Sequence, residues 1–456
     1  MSRPSLAAVV AGLCVLSFSL AADAQGRPAG ASAAEAPPVP VLIRNVSVWD
    51  GAADHATPGQ SVLVEGRLIR RIGAGIDAPA GATVIDGGGR VLMPGIINSH
   101  AHVALPLPPE ALLRADPGYV DALSVRAARI MLMHGWTTIR DMGGPSEGLA
   151  KAIDEGVIDG PRIYTAAAFI SQTSGHADFR GLNDPHPNAG AQPDVLAERY
   201  ALLADGPTEV RRAVRESLRH GATAIKLMAG GGISSEYDPI DTTQFSLEEM
   251  RAAVQAAADW GTYVAVHAYT DRAVNRALDA GVKVIEHGQL LSEATLKRIK
   301  ADGAYLSSQS FGAARRYGAG ANMNSEMARK GTMVVNGVDA MMSTAKKIGL
   351  PVAFGTDAFG SLRAYESEPS EFGFRLRWFT SLEILRQATS INARLLELTG
   401  PRNPYREGPL GVIREGAYAD LLVVDGDPLA DVHVLEDPGK NIRLIMKDGK
   451  IYKQAL

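Results

Sequence analysis

The chain has 456 residues, with 46% hydrophobic and 21% charged side chains and a formal net charge of -4. That length accommodates a large catalytic domain plus a satellite, and the composition excludes a fibrous or disordered chain. With no basic excess there is no electrostatic footprint for nucleic acid. From the N-terminus, Arg3 precedes an apolar run over residues 6–20, and Ala22-Asp23-Ala24 then offers the small-x-small pattern of a signal-peptidase site. Residues 1–24 are therefore predicted to be a signal peptide, making the protein exported, periplasmic or secreted. The run is too short and too close to the cleavage site for a membrane span, so no stable membrane insertion is expected once it is removed. Cys14, the only cysteine, lies within this run, and the mature chain has no thiol for a disulfide or a metal.

Residues 25–40, rich in Ala and Pro, read as a flexible lead-in. Across 41–91 short β-like runs are separated by Gly and Asp-Gly turns, and 408–456 has the same texture, so a small β-sandwich built from both chain ends is predicted. The intervening 92–407 alternates short apolar runs with Ala-rich stretches of helical period, such as 120–134, 209–220, 247–260 and 272–280. That alternation implies parallel strands. Eight candidate strands, 92–97, 137–140, 162–166, 224–227, 263–266, 284–286, 305–308 and 352–355, favour an α/β fold with a closed (β/α)8 TIM-like barrel. An open doubly wound sheet would need a Gly-x-Gly-x-x-Gly turn after its first strand for a dinucleotide, and none is present.

Functional residues of such barrels sit where strands end at the carboxyl face. Strand one runs into His100-Ala101-His102, strand four contains Lys226, strand five runs into His267, strand six into His287 and strand eight into Asp357. In an extended segment the His100-x-His102 alternation puts both imidazoles on one side, where they can share a metal. Read singly, each residue has a structural alternative: strand-end histidines bonded to backbone, satisfied core histidines, an Asp capping the next helix. Lys226 stands out because a lysine in an apolar strand must be paired or neutralised. Next to two dications its ammonium form is disfavoured, and the neutral amine can add carbon dioxide to give a bridging carbamate.

These residues resemble the amidohydrolase superfamily in its binuclear, carboxylated-lysine form, and the resemblance spans nearly the whole mature chain. It extends to the phrases Val91-Leu92-Met93-Pro94-Gly95-Ile96-Ile97-Asn98-Ser99-His100-Ala101-His102 and Gly416-Ala417-Tyr418-Ala419-Asp420-Leu421. Ser174-Gly175-His176-Ala177-Asp178 and Gly230-Gly231-Gly232-Ile233 are similar to the imidazolonepropionase-related dipeptidases and carboxypeptidases, a branch that includes ochratoxin-hydrolysing amidohydrolases. The resemblance implies that His100, His102 and Asp357 hold one divalent ion, with zinc the first expectation, and that His267 and His287 hold a second. Carboxylated Lys226 bridges the two. It implies hydrolysis of a dipeptide or N-acyl amino acid by a metal-bridging hydroxide, with Asp357 as proton shuttle and His176 contacting the oxyanion, in a homo-oligomer. Tyr237 and Tyr269 are candidate contacts to the substrate carboxylate or amide, Arg315 and Arg316 follow strand seven, and residues 181–207 read as a covering loop. Lactones and cyclic amides suit the same chemistry. Gly144-Pro145-Ser146-Glu147-Gly148 raises the rival of a serine nucleophile, and a binding protein without catalysis is a second rival.

Overall fold

The computed structural model describes residues 39–187, 195–310 and 326–456. The predicted signal peptide and almost all of the lead-in, together with Arg315 and Arg316, lie outside them. Strands β1 (Val41–Val48), β2 (Thr57–Glu65), β3 (Leu68–Gly73), β4 (Thr83–Asp86) and β5 (Val91–Pro94) form one sheet together with three strands from the far end of the chain. β5 pairs antiparallel with the C-terminal strand Leu421–Val424, with Leu92 opposite Val423. The two ends of the chain thus build one eight-stranded layer. One face encloses a core of its own, including Ile43, Val62, Leu92, Val423 and Leu444. The alternate side chains Met93, Leu422 and Ile445 join the main core of the barrel. Arg162, fully buried at the start of a barrel strand, pairs with Asp420 and Asp448 from that layer and locks the two together.

The barrel strands follow: β6 (Ile96–Ala101), β7 (Trp136–Asp141), β8 (Arg162–Thr165), β9 (Phe169–Ser171), β10 (Ala201–Leu203), β11 (Ile225–Met228), β12 (Val264–Ala268), β13 (Val284–His287), β14 (Tyr305–Ser308) and β15 (Val352–Phe354). Both ladders, β6-β7-β8 and β10-β9-β11-β12-β13-β14-β15, are parallel throughout. They join where Thr223 N donates to Thr165 O at 2.7 Å, and where Asp357 N donates to His100 O at 2.9 Å. At the β6/β15 seam Asn392 stands in for missing ladder bonds, its Nδ2 donating to Ile97 O at 2.6 Å and Phe354 O at 2.7 Å. The remaining strands, β16 (Leu421–Val424), β17 (Ile442–Lys447) and β18 (Lys450–Gln454), return to the end-built layer. β17 and β18 meet at Asp448-Gly449, both with positive φ, which matches the right-handed strand twist in a two-residue turn.

The sequence expectations need two corrections here. Residues 92–94 belong to β5 of the end-built sheet, not to the first barrel strand, because the chain changes layer at Gly95. A Cβ there would stand 2.1 Å from Thr137 Oγ1. The third barrel strand is also interrupted: β8 stops at Thr165, Ala167 takes φ +56, and β9 resumes from Phe169. The surrounding helices are amphipathic as the pattern required. In Leu247–Asp259 a capping box of Ser246 and Glu249 starts the helix, and Met250, Ala253, Ala256 and Ala257 are buried.

Candidate metal centre and catalytic pocket

Inside the barrel, Ala224, Ala265, Val284 and Ala353 pack in one apolar cluster. Strand side chains alternate with a period of two, so the next inward positions up these strands are Lys226, His267, Glu286 and Gly355. All three polar groups are buried. His287 follows Glu286 directly and would face outward, but its φ of +73 turns the chain, and Asp357 at φ +54 makes a similar turn after β15. Such conformations are uncommon for non-glycine residues and concentrate at functional sites. Gly355 gives His100 its space, because a Cβ there would stand 2.6 Å from His100 Cβ.

The hydrogen bonds assign the histidine tautomers. His100 Nδ1 donates to Glu286 Oε2 at 2.7 Å, and His102 Nδ1 donates to Gly143 O at 3.1 Å. Their Nε2 atoms then carry lone pairs, yet they lie 3.2 Å apart, with Asp357 Oδ1 at 3.5 Å and 3.2 Å from them. Burial, then the Lys226 ammonium, holds His100 well below the usual imidazole range. Two imidazole nitrogens and a carboxylate oxygen converge on one point, which is the donor set of a divalent cation. Among the described residues, His100, His102 and Asp357 form the one group of three or more such side chains whose ligating atoms all lie within 4.8 Å.

His267 and His287 adjoin this group, with ring centres 4.5 Å apart and that of His287 4.9 Å from His100. His267 Nε2 donates to Gly231 O at 3.1 Å and His287 Nδ1 to Gln309 Oε1 at 2.8 Å, so each keeps one nitrogen with a free lone pair. Burial pulls the Lys226 ammonium down to about 8, against the raising influence of Glu286 and Asp357. His102, Lys226, His267, His287 and Asp357 line one cavity. His176 and Tyr269 line it too. The His176 ring stacks on His267 at 4.2 Å, and its Nδ1 lies 2.6 Å from Ser235 Oγ. Tyr269 is buried beside His267 and His287. The opposite wall is apolar, formed by Leu105, Phe169, Phe179 and Phe359, and Phe169 and Phe359 both lie against His102.

Tyr237 is 41% exposed and lines a broad outer groove that shares Pro109, Phe179 and Ser234 with this cavity. The inward anchor of its loop is the next residue, Asp238, which accepts from Gly232 N at 2.7 Å and faces Lys330. Ser146 is fully buried and gives its hydroxyl to Thr165 Oγ1 at 2.9 Å, so it is no exposed nucleophile. Within the predicted covering loop the described residues include β10 and the short helix Val195–Glu198, and residues 188–194 lie outside the described part.

The sequence reading missed the residues behind the candidate donors. Glu286 carries His100 on one oxygen and Arg140 Nη2 on the other, the latter at 2.6 Å. Arg140 Nε in turn donates to Ser99 O at 2.6 Å. The signal that singled out Lys226, a charge in an apolar strand, applied equally to Arg140 and Glu286. Asp141 fixes the loop of His102 by accepting from Val103 N at 3.0 Å and Gly143 N at 3.2 Å.

A model of the amidohydrolase family matches residues 91–452 of this chain. Ochratoxinase from Aspergillus niger is 30% identical over 462 residues, covering 96% of this chain and 92% of that protein. A prolidase complexed with N-methylphosphonate-L-proline has a TM-score of 0.83 at 33% identity, covering 91% of this chain and 100% of that one. A Xaa-Pro dipeptidase with methionine bound in its active site gives 0.78 at 29% identity, with 91% and 100% coverage.

Proposed function

Since this chain belongs to the amidohydrolase family and is an amide-hydrolysing enzyme, we propose that it releases the C-terminal residue of a dipeptide or N-acyl amino acid with the help of divalent metal ions. The convergence of His100 Nε2, His102 Nε2 and Asp357 Oδ1 within 3.5 Å of one another carries the metal reading. His267 and His287 would supply donors for a second ion, and Lys226, as its carbon dioxide adduct, would supply further oxygen donors. Nitrogen and oxygen donors favour zinc, with manganese or cobalt compatible. Ions held there supply Lewis acidity toward water and toward a carbonyl oxygen. Asp357 takes the proton of the attacking water on its carboxylate and delivers it to the departing nitrogen. His176 offers Nε2–H to the developing oxyanion when Ser235 Oγ–H donates to its Nδ1. The Phe169, Phe179 and Phe359 wall excludes water and accommodates an apolar group.

Ochratoxin A, an N-acyl phenylalanine, fits this substrate class, and the likeness to ochratoxinase supports its inclusion. The test is a panel of N-acyl-L-phenylalanines, dipeptides, ochratoxin A, lactones and cyclic amides, assayed with protein of measured metal content. Release of the free amino acid, abolished by 1,10-phenanthroline and restored by zinc, is expected. Turnover confined to lactones or cyclic amides would overturn the substrate assignment, and full activity in metal-free protein the metal assignment. Reconstitution in buffer depleted of bicarbonate is expected to be slower. Export and a homo-oligomer belong to the same reading. Protein recovered from the periplasm or medium is expected to begin at Gln25, and light scattering reads the assembly.

A further inference from the structure

We propose that Lys330 is a positioning residue that sets the tautomer of His176, an inference that rests on the oxyanion role of His176. Lys330 lies near the start of the helix Glu326–Ile348, is 2% exposed, and directs its ammonium into the loop after β11. Its Nζ donates to Gly232 O at 3.2 Å, Ser235 O at 2.9 Å and Asp238 O at 2.8 Å, and stands 3.6 Å from Asp238 Oδ1. Three donors therefore meet three carbonyls of one loop. A buried ammonium is a costly way to fasten a loop that apolar packing can hold.

The cation acts on the choice facing His176. For Nε2 to donate into the cavity, Nδ1 must accept, and the donor available is the Ser235 hydroxyl at 2.6 Å. Two groups compete with that arrangement. Gly232 O, 3.4 Å from Ser235 Oγ, draws the hydroxyl hydrogen away, and Asp238 Oδ2, 3.4 Å from His176 Nδ1, draws the ring proton to the wrong nitrogen. Lys330 weakens both, occupying Gly232 O and countering the Asp238 charge, while Gly232 N takes Asp238 Oδ2 at 2.7 Å. The Ser235 hydroxyl is left to His176 Nδ1, and the proton stays on Nε2. Lys330 touches no substrate, so its effect has to pass through His176.

A double-mutant cycle tests this, using the most rapidly cleaved member of the panel and protein of measured metal content. His176→Ala is expected to lower kcat about 100-fold. Lys330→Met is expected to lower kcat at least about tenfold with KM within about twofold and metal content unchanged, and to have no further effect in H176A. Since K330M leaves Asp238 without its cation, the pair K330M/D238N is carried through the same cycle. It keeps the loop neutral, is expected to recover part of kcat, and supplies the cycle if K330M does not fold. An equal loss in both backgrounds, or no loss beside an intact His176, overturns the role of Lys330 alone. An H176A enzyme of parental activity removes the oxyanion role of His176 and this proposal with it.

Discussion

At Glu286 one carboxylate serves two buried donors, His100 Nδ1–H on one oxygen and the Arg140 guanidinium on the other. In Glu286→Gln an NH2 group faces a donor whichever way the amide turns. The variant therefore loses orientation of the ligand and charge compensation for Arg140 together. Expected are a metal affinity about 10- to 100-fold weaker and a stability loss of about 3–5 kcal/mol, read by metal titration and urea unfolding. Unchanged values would show that His100 is held by its backbone alone. Glu368 is buried beside Thr356 and Asn98. Burial, opposed by the Thr356 hydroxyl, raises its carboxyl to about 8, while Thr356 Oγ1 and Asn98 Nδ2 both donate to Oε1. A carboxyl whose folded pKa is raised keeps its full contribution below the unfolded value, near 4.5, and loses it as pH climbs toward 8. Glu368→Gln has no such titration, so its stability relative to the parent is expected to improve steadily from pH 5 to pH 8. Parallel unfolding midpoints across that range would count against the shift.

Elements decide which of these residues a reader of the sequence can find. Lys226 and His267 were legible because each stands two residues beyond an inward alanine of a regular strand, where period-two alternation carries the reading. His287 was legible as a histidine, yet its direction depends on a φ of +73 that no residue type at that position announces. The end of β5 was not legible, since residues 91–97 form one apolar run and the close approach that requires Gly95 is to Thr137, distant in sequence. Lys330 and Gln309 gave no signal at all, because a lysine in a helix and a glutamine after a strand are ordinarily solvated. The glycine run after β11 was noticed for its resemblance, and the structure supplies its reason. A Cβ at Gly232 would lie 1.8 Å from the His176 ring, which already stacks on His267. Gly232→Ala is therefore expected to keep the fold but displace His176, lowering kcat/KM about 100-fold. Gly148→Ala, in a helix with nothing within 4 Å of the new methyl, is the control and is expected to be neutral or slightly stabilising. Equal activities of the two variants would remove His176 from the chemistry.

The proposed metal donors are drawn from the whole length of the barrel, from β6 through β11, β12 and β13 to the turn after β15, and so their convergence exists only in the folded chain. An ion that binds the native state and not the unfolded one adds RT ln(1 + [L]/Kd), about 2.7 kcal/mol at a hundredfold excess over Kd. Chelated protein is therefore expected to melt at a lower temperature than loaded protein, with the gap widening as free zinc is raised. The end-built sheet bears on the shape of that melt. Met93, Leu422 and Ile445 sit in the same core as the barrel helices, and the buried Arg162 pairs with Asp420 and Asp448 across the junction. Loss of the barrel would leave Asp420 and Asp448 without their cation and expose that core face, so the sheet has little reason to survive alone. A single calorimetric transition that moves as a whole with metal occupancy is the expected result. A metal-independent second transition would mean that the two layers unfold separately, and a melt indifferent to zinc would mean that His100, His102 and Asp357 do not converge on an ion.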